Sequence, residues 1–186
     1  MPPFTFGNGR TNTSCSPCSF DTYASQRESG DSVARRIVAS GFEEQGSALS
    51  PDSRWLAYVS NEQGEHEVFV RPFPGVNGGK WQVSSGGGSA PIWSHNGREL
   101  FYAKGTKMYV VRINPGASFS ADPPRVLFEI PERVRAGSLG RGTFAITPDD
   151  QRFLMLRDNS WEDMAGVRTM VVVENFFEEL RAKLKK

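Results

Sequence analysis

Charge of one sign is missing from this sequence: 22 Lys and Arg stand against 21 Asp and Glu, a formal charge of +1. A chain so balanced projects no broad field toward phosphate backbones or anionic lipid, so neither nucleic acid nor a membrane surface is an expected partner. Long hydrophobic runs are missing too. The longest, such as Met170 to Val173 and Leu154 to Leu156, fall far short of the roughly 20 residues that span a bilayer, which excludes membrane insertion by a helix of this sequence. The first 20 residues have no basic start and no apolar run of secretory type, so the chain as written is expected in the cytosol. Cysteine is scarce: Cys15 and Cys18 form a single C-x-x-C, and His66 and His95 lie about fifty and eighty residues away. Four zinc ligands do not assemble at such spacing, no second C-x-x-C follows, and the βαβ context of a redox pair is lacking. The two thiols read as incidental, with no metal and no cofactor expected.

What is present is turn chemistry and apolar material. Nineteen Gly and twelve Pro, with 38% hydrophobic and 11% aromatic residues, point to an all-β chain of short strands around a sizeable core. Residues 1–29 are rich in Ser, Thr, Asn, Gly and Pro without periodicity and are expected to be an irregular leader. Residues 30–186 carry a repeat. Ser50-Pro51-Asp52-Ser53-Arg54-Trp55-Leu56, Ser94-His95-Asn96-Gly97-Arg98-Glu99-Leu100 and Thr147-Pro148-Asp149-Asp150-Gln151-Arg152-Phe153 align without a gap, 44 and then 53 residues apart. Each copy lies between short strand-like runs, and in the first two a fourth run follows at Trp81 to Ser84 and at Arg125 to Glu129. Four antiparallel strands in about 44 residues make one propeller blade, so about three blades are expected, with Arg35 to Ser40 supplying the outer strand of a preceding one.

The turns explain themselves locally. The first hydroxyl caps the turn, Pro sets φ at the second position, Asp bonds its own backbone, and the fourth position favours the left-handed region. Gly97 suits that position and Asp150 tolerates it, whereas Ser53 is expected to cost stability or to shift the turn type. Asp149 and Asp150 read as hairpin residues rather than an acid/base pair, with no His in register beside them. Residues 175–185 follow a helical pattern: Asn175 caps, Phe176, Leu180 and Leu184 recur at i, i+4 and i+8, and basic residues gather at the end, so a terminal helix packing on the sheet is expected.

The repeated Ser-Pro-Asp-x-Arg turn, with the continuation Glu67 to Gly75, resembles the TolB-like propeller repeat. Gly79 to Ser84, Gly86 to Gly88, Pro91 to Tyr102 and the closing Thr147 to Met155 with Val171 to Leu180 resemble the C-terminal propeller of bacterial eukaryotic-like serine/threonine kinases. That resemblance implies a non-catalytic ligand-sensing or protein-binding module, extracytoplasmic if it belongs to a membrane-anchored kinase. The kinase signatures themselves are absent: no G-x-G-x-x-G loop, Val-Ala-Ile-Lys strand, His-Arg-Asp or Asp-Phe-Gly occurs. TolB-like repeats also form the accessory gating propeller of prolyl-oligopeptidase-type hydrolases, the alternative reading, but the G-x-S-x-G elbow is missing as well.

A binding propeller uses residues that enter its innermost strands, because these line the channel and one rim. By alignment they are Glu44 and Gln45, Gly88 and Ser89, and Arg141 and Gly142. The expected partner is a small ligand or a protein. Gly86 to Gly88 lies between strands and reads as a blade connection rather than a phosphate cradle. The recurring aromatics, Trp55, Tyr58, Trp93 and Phe101 among them, read as core columns rather than stacking platforms. Because three blades do not close a ring, two copies are expected to join through their open blade edges.

Overall fold

The computed structural model describes residues 22–27, 32–38, 40–131, 134–135, 144–157 and 170–173. The expected helix at 175–185 lies outside the described residues.

Two strands, β1 (Thr22–Arg27) and β2 (Ser32–Val38), open the described chain as an antiparallel hairpin. The irregular leader expected over 1–29 lies outside the described residues except for Thr22–Arg27, which is a strand. Its Tyr, Ala and Ser pair with the Val- and Ala-bearing β2, a partner that a scan of residues 1–29 alone does not contain.

The next eight strands form two four-stranded antiparallel blades. The first runs in the order β3 (Glu44–Leu49), β4 (Trp55–Ser60), β5 (Glu67–Pro72), β6 (Trp81–Gln82). The second contains β7 (Ser89–Trp93), β8 (Glu99–Lys104), β9 (Lys107–Arg112) and β10 (Arg125–Glu129). In the third, β13 (Phe153–Arg157) pairs with β14 (Met170–Val173) along one edge and with β12 (Phe144–Ile146) and β11 (Val134–Arg135) in succession along the other.

Successive side chains of a strand point to opposite faces, and in the first two blades both faces are buried. Leu56 and Tyr58 pack on one side of β4 with Phe69, while Ala57 and Val59 face the second blade. The core between the first two blades joins Val59, Val68 and Val70 to Trp93, Leu100, Tyr102 and Val111. The other face of the second blade, with Phe101, Met108 and Val110, meets Phe153 and Met155 of the third. Leu56, Leu100 and Phe153, aligned by the repeat, therefore occupy one column, each facing back along the chain. Stacking of sheets through both faces is what a propeller requires, and it explains why β4 and β8 read as near-continuous apolar runs. On β13 the alternate residues, Leu154 and Leu156, fall on the face turned away from the second blade, and Leu156 remains 51% exposed.

The innermost strands share an irregularity. Pairing slips between Gln45 and Ala48 and between Ser89 and Ile92, and the bulge is taken up by Gly46 at φ 55° and by Ala90 at φ 50°. Such a bulge bends a strand and sharpens its twist.

Candidate functional site

The three aligned turns are built by one hydrogen-bond circuit. In the first, the Ser50 amide donates to the Trp55 carbonyl at 2.8 Å, the Ser53 amide to the Ser50 carbonyl at 2.8 Å, and the Trp55 amide to Ser50 Oγ at 2.9 Å. Ser50 Oγ donates to Asp52 Oδ1, which also takes the Arg54 amide. Ser94 and Asn96 repeat the circuit in the second blade, and Thr147 and Asp149 in the third. The hydrogen bond from Ser50 holds the Asp52 carboxyl below its ordinary range, and that from Thr147 does the same for Asp149. Fourth-position φ values are 57° at Ser53, 69° at Gly97 and 59° at Asp150. Ser53 therefore does not shift the turn type; it adopts the left-handed conformation like its counterparts.

Asp150 does more than turn the chain. Its carboxylate accepts the His95 amide at 2.8 and 3.1 Å and lies 2.7 Å from His95 Nδ1, so the third turn is tied to the second. The expectation that no His stands beside Asp149 and Asp150 is corrected by this contact, made across 55 residues of sequence. The contact orients the ring through Nδ1, and among the described residues no hydroxyl or thiol is hydrogen-bonded to Nε2. The pair joins two blades.

At the opposite rim stand the residues that enter the inner strands. Glu44 is buried and accepts from Ser40 Oγ at 2.8 Å. Gln45 Nε2 donates to Glu43 Oε1 and lies 3.4 Å from His66 Nε2. The Gly88 amide donates to the His66 carbonyl at 2.8 Å, so His66 brings Gln45 and Gly88 together. No side chain fits at Gly88, because a Cβ there would lie 2.5 Å from Ser84 Oγ. Ser89 Oγ donates to the Ala103 carbonyl at 3.3 Å. Arg141 and Gly142 lie outside the described residues. The Gly86 to Gly88 segment wraps an internal anion: the Gly87 amide donates to Glu67 Oε1 at 2.9 Å, and Ser84 Oγ donates to Glu67 Oε2. Of the four described candidates, Glu44, Gly88 and Ser89 are thus committed to the framework.

A groove that the sequence reading missed opens at the turn rim between the second and third blades, with a volume of about 590 Å³. Glu99 and Arg112 oppose each other across β8 and β9, on the same face as Phe101 and Val110. Asp149, Asp150 and Gln151 line the groove from the third turn, and Ile113, Asn114 and Pro115 from the segment after β9. Burial pushes the Glu99 carboxyl above its ordinary range, opposed by the charges of Arg112 and Arg125 and reinforced by that of Asp150. Only the shared register of Glu99 and Arg112 could have hinted at this groove, since it forms between blades rather than within one.

No protein-family model matches the chain, and no curated protein matches it. Solved structures do. The crystal structure of TolB from Acinetobacter baumannii superposes with a TM-score of 0.54 at 13% identity, over 83% of this chain and 38% of that one. An oligogalacturonate lyase from Vibrio parahaemolyticus superposes with a TM-score of 0.50 at 14% identity, over 73% of this chain and 36% of the lyase. The chain therefore spans well under half the length of these propeller proteins, and the likeness establishes the fold: a partial, TolB-like β-propeller.

Proposed function

We propose that the chain is a non-catalytic ligand- or protein-binding module, a fragment of a sensing propeller of the kind that bacterial serine/threonine kinases carry C-terminally. The kinase context rests on the sequence resemblance of the segments from Gly79 to Leu180. The observation that carries the binding reading is the groove between the second and third blades. Its volume of about 590 Å³ suits a small ligand or a few residues of peptide, and the guanidinium groups of its two arginines, Arg98 and Arg112, make no hydrogen bond or salt bridge with a described residue, although the charge of Arg112 acts on Glu99. Its acidic residues Asp149 and Asp150 are engaged in the turn circuit and the inter-blade link, which suits a scaffold better than acid/base chemistry.

A thermal-shift screen of metabolites and short peptides tests the binding reading. Ligands that raise the midpoint of the native chain and fail to raise that of Arg112→Gln are expected; ligands that act equally on both place binding elsewhere. The reading frame upstream tests the context, since a kinase domain followed by a membrane span is expected there, and a peptidase domain would refute it.

A further inference from the structure

The groove has a definite chemical bias. Asp150 is occupied by His95, and Asp149 by Thr147 and the Gln151 amide. Asn114 Nδ2 donates to Ser120 Oγ at 3.5 Å and to Asp122 Oδ1 at 3.1 Å, and Asn96 Oδ1 accepts from Ser94 Oγ and the Arg98 amide. The groups left over are the guanidinium donors of Arg98 and Arg112, with Glu99 half-buried beside Arg112. A planar guanidinium pairs best with a planar two-oxygen acceptor. Glu99, Asp149 and Asp150 in the same groove limit how much negative charge it tolerates, which disfavours a dianionic phosphate.

Resting on the binding reading above, we propose that this groove holds a carboxylate-bearing ligand, its carboxylate on the guanidinium groups of Arg98 and Arg112 and its body along Pro115. The carboxylate can be the C-terminus of a peptide or belong to a free small acid. In either case Glu99 is the specificity element, admitting one carboxylate and turning away more highly charged anions.

Titration calorimetry on the full chain tests this with four probes: N-acetyl-trialanine bearing a free C-terminus, its C-terminal amide, butyrate and inorganic phosphate. The free-acid peptide or butyrate, each carrying a single carboxylate, is expected to bind, and which of the two binds tells the sources apart. The amide is expected to bind at least about tenfold more weakly than the acid, as is the acid on Arg112→Gln, because a charged hydrogen bond is lost. Arg98→Gln gives an independent second variant. Glu99→Gln is expected to tighten carboxylate binding several-fold by removing a like charge. Unchanged thermal midpoints in the arginine variants, whose residues are exposed, establish that they fold. Equal affinity of acid and amide, phosphate binding tighter than either acid, or silence from all four probes overturns the carboxylate assignment. The binding reading falls separately, if no library compound acts through Arg112.

Discussion

Replacement by glycine should have opposite effects at two equivalent turn positions. Ser53 and Asp150 both hold φ near 60°, at 57° and 59°, where an L-residue carries strain of about 1–2 kcal/mol that glycine avoids. Glycine returns part of that as extra freedom in the unfolded chain, about 0.5–1 kcal/mol, so Ser53→Gly should stabilise by about 0.5–1 kcal/mol. The same backbone relief applies at Asp150, but there the carboxylate holds the His95 amide and ring from the neighbouring blade at 2.7 to 3.1 Å. A hydrogen bond to a charged group contributes about 1.5–3 kcal/mol, so Asp150→Gly should destabilise by about 1–2 kcal/mol net. Asp150→Ala, which loses the acceptor and keeps the strain, should cost about 1 kcal/mol more than Asp150→Gly. Asp150→Asn, which keeps an acceptor oxygen and tolerates the left-handed region, should cost least of the three. At roughly 2–4 °C per kcal/mol for a chain of this size, Ser53→Gly and Asp150→Gly should separate by several degrees in thermal unfolding followed by tryptophan fluorescence. Stabilisation by both glycine variants would show that the Asp150–His95 contact contributes nothing and that the turns are energetically independent.

The remaining expectations concern packing and ionisation. Phe153 is fully buried among Phe101, Phe128 and Phe144, with ring centroids 5.1, 5.4 and 6.2 Å away, so Phe153→Ala should cost about 3–5 kcal/mol and Leu100→Ala in the same column about 2–5 kcal/mol. Urea midpoints within error of the native chain for both would refute the blade register. Gly88→Ala should cost about 1–3 kcal/mol, because the new methyl would lie 2.5 Å from Ser84 Oγ and 2.8 Å from Ser84 Cβ; an unchanged midpoint would mean that the loop yields freely. Burial pushes the Tyr58 and Tyr102 hydroxyls above their usual range, so stability should be fully present below the unfolded tyrosine value near 10 and should fall as pH rises past it. Midpoints measured on both sides of that value check this. Tyr102→Phe should flatten the fall, and an equally steep decline in that variant would implicate other groups.

What the sequence carried and what it did not follow from how far apart the interacting residues lie. The turn circuit involves residues within five positions of one another, as from Ser50 to Trp55, and side-chain chemistry at that range is written directly in the repeat. The column of Leu56, Leu100 and Phe153 was legible because a strand's period of two fixes facing once the hairpin is placed. Contacts between blades were not. Asp150 meets His95, and Trp93 Nε1 reaches the Ala48 carbonyl at 3.1 Å, only after two sheets are rotated into place, and periodicity does not encode that rotation. The surroundings of the candidate rim were hidden for a related reason. Alignment located the starts of the inner strands, but it could not reveal that Gly88 is pressed against Ser84 or that Glu44 is buried. The internal acid that Gly86 to Gly88 encloses, Glu67, lies across the hairpin and left no local sign.

The segment that follows β9 gives the two leading blades a common fate. Phe119 leaves the second blade and sits against Trp55 and Trp81 of the first, at 5.3 Å from each ring, while Arg54 donates to the Gly116 carbonyl at 3.0 Å. The first blade cannot separate from the second without pulling this aromatic wedge out from between its two tryptophans. Local opening should therefore release both sheets together, and their amide protons should exchange with solvent at one shared, slow rate. The third blade has no such wedge among its described residues and holds to the second through Phe153, Met155 and the Asp150 link. Proton exchange in native buffer should thus divide the molecule unequally, two blades moving as one body and the third able to come away first.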